Sequence, residues 1–258
     1  MTVKRDDKNQ DLADHFSRRA AYWKNIYSYP VGSHDFFHHE AIKKRKKAVL
    51  DFVEKYAQWR SLKILDCGCG TGIIMDALLQ QGHQVFGIDI SPDMIKEANI
   101  TLMNYERKDK IARLGSVEAI DYPDQCFDLC LCIGVLEYLE NDEQALRELI
   151  RVTRQNGYIV VSLPNIARIT TLFDPYYYIV RVPKFLYYKI FKIKKSDGLS
   201  SHYDIRKNVT FRNNRYYYCH IYRICKRINL TVRDVSPIGY GPFTFWQREY
   251  IPRSLTYG

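Results

Sequence analysis

From residue 61 to residue 165 the apolar positions come in two alternating patterns. Short continuous runs suit strands buried on both faces, and the stretches between them repeat at helical spacing. SLKILDCG (61–68) predicts a first strand, and TGIIMDALLQQG (71–82) a helix closed by Gly82 at its C-cap. HQVFGIDI (83–90) predicts a second strand. Ser91 caps the next helix, 92–104, with Pro92 in its first turn. A short third strand is expected at 111–117 and a fourth at FDLCLCIG (127–134). A helix follows over 141–154, capped by Asn141 and ended at Asn156-Gly157, and a fifth strand over 158–165. Strand and helix in strict alternation are the mark of a parallel sheet with helical crossovers.

The flanks are less regular. Residues 11–28 read as a helix broken by Pro30 and Gly32, and 34–58 as a second, with Ala48, Val49, Phe52, Val53 and Tyr56 on one face. Lys43–Lys47 (KKRKK) reads first as a solvated face. The segment 166–215 is aromatic and basic, interrupted by Pro175 and Pro183, and reads as an insertion after the fifth strand. A helix is expected over 214–228, a sixth strand at 230–238 and a weaker seventh at 243–250. The expected organisation is a helical cap (1–60), a core (61–165), an acceptor-side insertion (166–215) and a closing segment (216–258) of the same domain.

A chain of 258 residues with 46% hydrophobic residues can build such a core. Its charge is uneven: residues 1–60 carry +5, 61–165 carry −7 and 166–258 carry +12, which together make the net +10. Thirteen of the 21 tyrosines fall after residue 165. No apolar run is long enough for a transmembrane helix, and the charged start MTVKRDDKNQ does not read as a secretory signal. The seven cysteines, among them the C-x-C pairs 67/69 and 130/132, follow neither a disulfide framework nor a zinc spacing. A reduced, cytoplasmic setting with no metal is therefore expected.

The chemistry concentrates where the first strand turns into the first core helix. Gly68-Cys69-Gly70-Thr71-Gly72 has glycine at alternate positions, which lets a ligand approach the backbone at a helix N-terminus. The spacing is G-x-G-x-G, whereas a dinucleotide fingerprint is G-x-G-x-x-G. Asp66 stands two residues before the first glycine. A carboxylate there repels a pyrophosphate and suits a ligand carrying an ammonium group. Asp89, at the end of the second strand, is placed to bind a ribose diol. A nicotinamide or flavin enzyme and a ligand-free glycine turn are the disfavoured readings.

Residues 62–165 resemble class I S-adenosylmethionine (SAM)-dependent methyltransferases, of the group that includes ubiquinone-biosynthesis O-methyltransferases. The resemblance implies an α/β fold: a Rossmann-like, mostly parallel seven-stranded sheet with helices on both faces, here with an N-terminal helical cap. It also implies SAM as cofactor and S-adenosylhomocysteine (SAH) as its product. Asp66 and Gly68, Cys69, Gly70, Thr71 and Gly72 would hold the methionine part. Asp89 would bind the ribose, with Ile90 and Met94 against the adenine. LGSVEAIDYPDQCFDL is similar to a segment that often carries an acid where this chain has Ser116, so Ser116, Val117 or Glu118 would meet the adenine amino group. CIGVLEYLEN resembles the loop after the fourth strand, which would put Cys132, Ile133 and Gly134 near the sulfonium and Glu137 at the start of the next turn. Tyr138 replaces a histidine frequent in that family. FSRRAAYW (16–23) is similar to a cofactor-covering segment, with Tyr22 as a donor to the methionine carboxylate or, on the simpler reading, part of a helix packed by Phe16, Ala20 and Trp23. DPYY (174–177) mimics an adenine amino-methyltransferase motif but follows the wrong strand.

The acceptor is expected to be a small molecule, aromatic or lipophilic, methylated on a hydroxyl or carboxyl oxygen, with a small amine close behind. His202, with Tyr203 or Tyr240 beside it, is the expected base, and His34, His38 and His39 are weaker candidates. The basic, tyrosine-rich insertion reads first as a lid, then as a peripheral membrane contact, and last as an RNA contact. An RNA-modifying enzyme and a non-catalytic SAM-binding protein are the alternatives.

Overall fold

A computed structural model describes residues 3–25, 36–105, 111–139, 141–164, 183, 201–204, 209–212, 218–236, 244–245 and 248–249. Two compact units divide the chain, one of Met1–Tyr29 with Lys46–Leu163 and one of Pro30–Arg45 with Pro164–Gly258.

The first unit holds a five-stranded sheet: β1 (Lys63–Cys67), β2 (Gln84–Asp89), β3 (Ala112–Leu114), β4 (Phe127–Ile133) and β5 (Thr153–Ser162). The order is β3-β2-β1-β4-β5 and every pairing is parallel. Leu65 lies opposite Phe86 and Cys130, and Asp66 opposite Gly87 and Leu131. Ile64 and Leu65 are both fully buried, as are all four residues Leu129–Cys132. Successive side chains in a strand point to opposite faces, so both faces of the central strands are covered. The covering helices are α3 (Phe36–Ala57), α4 (Ile73–Gln80), α5 (Pro92–Thr101) and α6 (Asp142–Val152). Val49, Val53 and Ala57 of α3 share one buried cluster with Met75 and Leu78 of α4, Ala98 of α5 and Ile64, Val85, Leu129 and Leu131 of the sheet.

Two expected caps are present. Ser91 Oγ accepts from the Met94 amide at 3.2 Å, and Asn141 Oδ1 from the Gln144 amide at 3.1 Å. The helix expected over 71–82 ends at Gln80 with Gln81 as its cap, and Gly82 follows at φ +83°. The helix expected to run to Arg154 stops at Val152, and β5 begins at Thr153, five residues before the expected position. Apolar spacing alone does not end a helix. Here Thr153 turns its hydroxyl onto the Leu149 carbonyl at 2.6 Å, and Asn156 takes φ +62° inside the irregular start of β5.

The N-terminal region forms two helices, α1 (Val3–Ser17) and α2 (Ala20–Asn25), in place of one over 11–28. Both pack on α5. The Ser17 and Ser91 hydroxyls share a 2.8 Å hydrogen bond, and Lys24 pairs with Glu97 at 2.6 Å.

Of the seven strands expected in the sheet, five are found among the described residues. Residues 230–236, read as a sixth strand, carry no regular structure there. Arg233, Asp234 and Val235 are exposed, and without a buried face the alternation of that stretch has nothing to pair against. The expected seventh strand, 243–250, holds a two-residue pairing of β8 (Thr244–Phe245) with β9 (Arg248–Glu249). The helix expected over 214–228 is α7 (Tyr218–Arg227). In the 166–215 segment β6 (Ser201–Asp204) pairs antiparallel with β7 (Val209–Arg212). The rest of that segment, apart from residue 183, lies outside the described residues, as do His34 and Tyr240.

Candidate functional site

The strand order reverses at β1. The chain steps outward from β1 through β2 to β3, then returns to place β4 on the other side of β1. In an open parallel sheet the crevice beyond the carboxyl ends of the strands at such a reversal is where ligands bind. Two loops flank it here: 66–72 after β1 and 134–138 after β4.

The first loop is held from below. The Gly68 and Cys69 amides both donate to the Ile88 carbonyl, at 2.7 and 3.0 Å, which ties the turn to the end of β2. Gly68 has φ +79°, and a Cβ there would stand 2.2 Å from Val135 Cγ2, so the turn and the loop after β4 approach through a gap only glycine leaves. Gly70 also has positive φ, +54°, but a Cβ on it would meet nothing within 4 Å. The backbone at Gly70 therefore faces open space, as a ligand cradle requires. Thr71 and Cys69 are buried. Gly72, at φ +79°, is the N-cap of α4.

Asp89 braces this loop. Its Oδ2 accepts from the Gly70 amide and its Oδ1 from the Ser91 amide, each at 2.9 Å. One carboxylate thus fixes both the glycine turn and the start of α5. Burial pushes its carboxyl above the ordinary range, while the amides of Ser91, Gly70 and Ile90 pull it back.

Asp66 is different. It is 1% exposed, and its Oδ2 is buried with no hydrogen-bond partner. Burial first, and the neighbouring Asp89 second, push its carboxyl up to about 7. A buried acid with an unsatisfied oxygen at a ligand crevice lacks a cationic or donating partner.

The other expected residues surround the same end of the sheet. Met94 is buried and Ile90 half-buried after β2. Ser116 and Ala119 form an isolated bridge, and Ser116 Oγ accepts from the Glu118 amide at 3.2 Å; Val117 and Glu118 are buried. Cys132 ends the buried part of β4, where burial and the nearby Glu137 and Asp66 carboxyls drive its thiol well above the usual range. Ile133 is partly buried, Gly134 turns at φ +71°, and Glu137 is buried in the 3₁₀ turn Leu136–Tyr138. Tyr22 is half-buried, its ring edge-on to Trp23 at 5.7 Å. The backbones of His202 and Tyr203, expected in a loop, lie in β6 opposite Phe211 and Thr210. The expected residues between 66 and 137 belong to the first compact unit, and His202 and Tyr203 to the second.

Two contributors, Ser17 and Ser162, escaped the sequence, and Phe16, expected to pack, has a partner the sequence did not name. Ser17 reaches Ser91 from α1, and Phe16 packs edge-on against Tyr138 at 5.2 Å. Ser162, at the end of β5, accepts from the Gly134 amide at 2.8 Å and fixes the turn after β4. The FSRRAAYW segment hinted at Ser17 and Phe16; nothing local marks Ser162.

Residues 65–161 match the model of a family described as a methyltransferase domain. A 105-residue stretch is 36% identical to the ubiquinone biosynthesis O-methyltransferase of Rickettsia conorii, covering 40% of this chain and 35% of that one. A 103-residue stretch is 33% identical to the malonyl-[acyl-carrier protein] O-methyltransferase of Serratia marcescens, covering 39% and 37%. The chain thus matches little more than a third of the length of these two relatives. Among solved structures, magnesium protoporphyrin IX methyltransferase of Synechocystis with bound SAH aligns with TM-score 0.61 at 15% identity, covering 93% of this chain and 95% of that one. That level of identity shows a shared fold.

Proposed function

We propose, from the match of residues 65–161 to a methyltransferase-domain model, that the chain is a class I SAM-dependent methyltransferase that transfers a methyl group from SAM to a small-molecule acceptor, on a hydroxyl or carboxyl oxygen. The carrying observation is the loop at the strand reversal. There Asp89 braces the glycine loop through Gly70 and Ser91, and Asp66 holds an unpartnered buried oxygen. These residues suit the cofactor's chemistry. The open side of Gly70 admits a ligand against the backbone, Asp66 gains a cationic ammonium partner, and Asp89 retains acceptor capacity for ribose hydroxyls. In this reading Ile90, Met94, Ser116, Val117 and Glu118 meet the adenine. Cys132, Ile133, Gly134 and Glu137 border the sulfonium, and Tyr22 holds the methionine carboxylate.

When bound, the cofactor supplies a methyl group made electrophilic by its sulfonium sulfur. The protein's part is to hold the acceptor oxygen in line with that methyl group and to exclude water. His202, or in its place Tyr203, takes the proton from the acceptor hydroxyl in this reading, a role that rests on sequence position. The raised thiol of Cys132 stays protonated, which keeps a competing nucleophile inert beside the donor. The O-methyltransferase names of the two relatives support oxygen over nitrogen as the acceptor atom.

Titration calorimetry with SAM and SAH tests the donor. Micromolar binding of both is expected, and absence of either overturns the reading. Transfer of labelled methyl groups to phenols, carboxylic acids and amines tests the acceptor: label on the oxygen acceptors is expected, and label confined to amines rejects the O-methyl assignment. His202→Gln and Tyr203→Phe should lower kcat while leaving SAM affinity unchanged. Unchanged kcat in both removes them from the reaction.

A further inference from the structure

The opposite, amino-terminal edge of the sheet holds a pair of nucleophiles that methyl transfer does not use. Lys63 opens β1, and Cys126 immediately precedes β4. Lys63 Nζ donates to Cys126 Sγ at 3.1 Å. The same ammonium lies over the rings of Phe86 and Phe127, 5.5 and 5.2 Å from their centroids, which fixes where it points. No ion pair of Lys63 is found among the described residues. Asp128 Oδ2 accepts from the Lys63 amide at 2.8 Å, and its Oδ1 accepts from Arg154 Nη1 at 2.6 Å. The thiol is thus the side-chain partner of this amine.

Among the five cysteines in and beside the sheet, exposure singles out the same thiol. Cys67, Cys69, Cys130 and Cys132 are at most 7% exposed, and burial pushes Cys130 up to about 12 and holds the other three well above the ordinary thiol range. Cys126 is half-buried, so a small oxidant can reach it. The adjoining Tyr122 ring, edge-on to Phe127 at 5.0 Å, carries a buried hydroxyl with no hydrogen-bond partner, a spare donor in the same aromatic cluster.

We infer that Cys126 and Lys63 form an oxidant-driven sulfur–nitrogen cross-link between the start of β1 and the loop entering β4. The co-reactant is a hydroperoxide. Its O–O bond breaks as an S–O bond forms on Cys126, giving the sulfenic acid and releasing water or an alcohol. The Lys63 amine, having given its ammonium proton to solvent, then attacks that sulfur. The S–N bond forms, the S–O bond breaks, and the oxygen departs as water with the amine's proton. The pair loses two hydrogens in total and the hydroperoxide is reduced. Two equivalents of an external thiol restore both side chains and become a disulfide.

The test exposes the full chain to hydrogen peroxide, digests it and maps its peptides by mass spectrometry. Expected is a species lighter by two hydrogens whose fragments join the Lys63 and Cys126 peptides, lost on dithiothreitol treatment. It is absent from Lys63→Arg, which keeps a cation over the rings, and from Cys126→Ser. Cys219, exposed on α7, reports that oxidant was delivered. Three results would overturn the inference: Cys126 recovered as sulfenic or sulfinic acid with Lys63 free, Cys126 joined to another cysteine, or Cys126 unmodified while Cys219 is oxidised.

Discussion

The Gly70 amide donates to Asp89 Oδ2 at 2.9 Å, across 19 residues of sequence, and the other oxygen of the same carboxylate holds the Ser91 amide. Asp89 therefore shapes the glycine loop before any ligand arrives. Asp89→Ala removes two charge-assisted hydrogen bonds and should weaken SAM binding by about ten- to a hundredfold, from about 1.5–3 kcal/mol for a bond to a charged group. Asp89→Asn, which keeps one acceptor oxygen, should lose less. Calorimetry on both variants decides; equal affinity for Asp89→Ala and the parent chain rejects the role.

Gly68 and Gly70 should respond oppositely to alanine. At Gly68 the new methyl collides with Val135 at positive φ, so Gly68→Ala should lower the unfolding midpoint. At Gly70 the methyl enters open space, so Gly70→Ala should cost little stability beyond its backbone strain and much cofactor affinity. Thermal melts with and without SAM separate the two. A Gly70→Ala protein that binds SAM normally shows that the open space is not the cofactor's.

Asp66 makes both stability and binding depend on pH. Its folded value, about 7, lies above its ordinary 3.8, so the native state holds this proton more tightly than the unfolded chain. That contribution is fully present below the unfolded value, declines as pH rises towards 7, and is gone above it. Asp66→Asn should flatten this slope in denaturant titrations between pH 4 and 8. A cationic ligand needs the ionised form, so SAM affinity of the parent chain should rise as pH passes upward through 7. An affinity that is flat with pH contradicts the ammonium pairing.

Ser91 joins three elements: it caps α5, donates its amide to Asp89 and meets Ser17. Ser91→Ala should destabilise the fold by about 1 kcal/mol, as the loss of an N-cap does. Ser17→Ala removes only the tether to α1. It should leave the melting temperature nearly unchanged while speeding hydrogen exchange in residues 3–25. Unaltered exchange there shows that the serine pair does not hold α1.

Much of the core was legible because its signals are local. Ser91 and Asn141 announce their helices by chemistry confined to four residues, and FDLCLCI reads as a strand buried on both faces from its composition alone. The end of α6 was not legible. LRELIRVTR keeps helical spacing to Arg154, yet the chain turns at Thr153 so that Phe127 can pair with it, a choice made by the neighbouring strand. The stretch 230–236 failed for the converse reason, since its alternation looked like a strand and it pairs with no strand among the described residues.

By itself the sequence determined the loop that suits a methyl donor. Asp66, the alternate glycines and Asp89 are fixed by strand–turn–helix geometry that a short segment specifies. Tertiary structure decided what that loop is attached to and how it is charged. α1 reaches Ser91 and Tyr138 because its apolar residues find a surface on distant elements. Asp66 holds its proton to about 7 because β2 and β4 enclose it beside a second acid, and desolvation is a property of the folded surroundings.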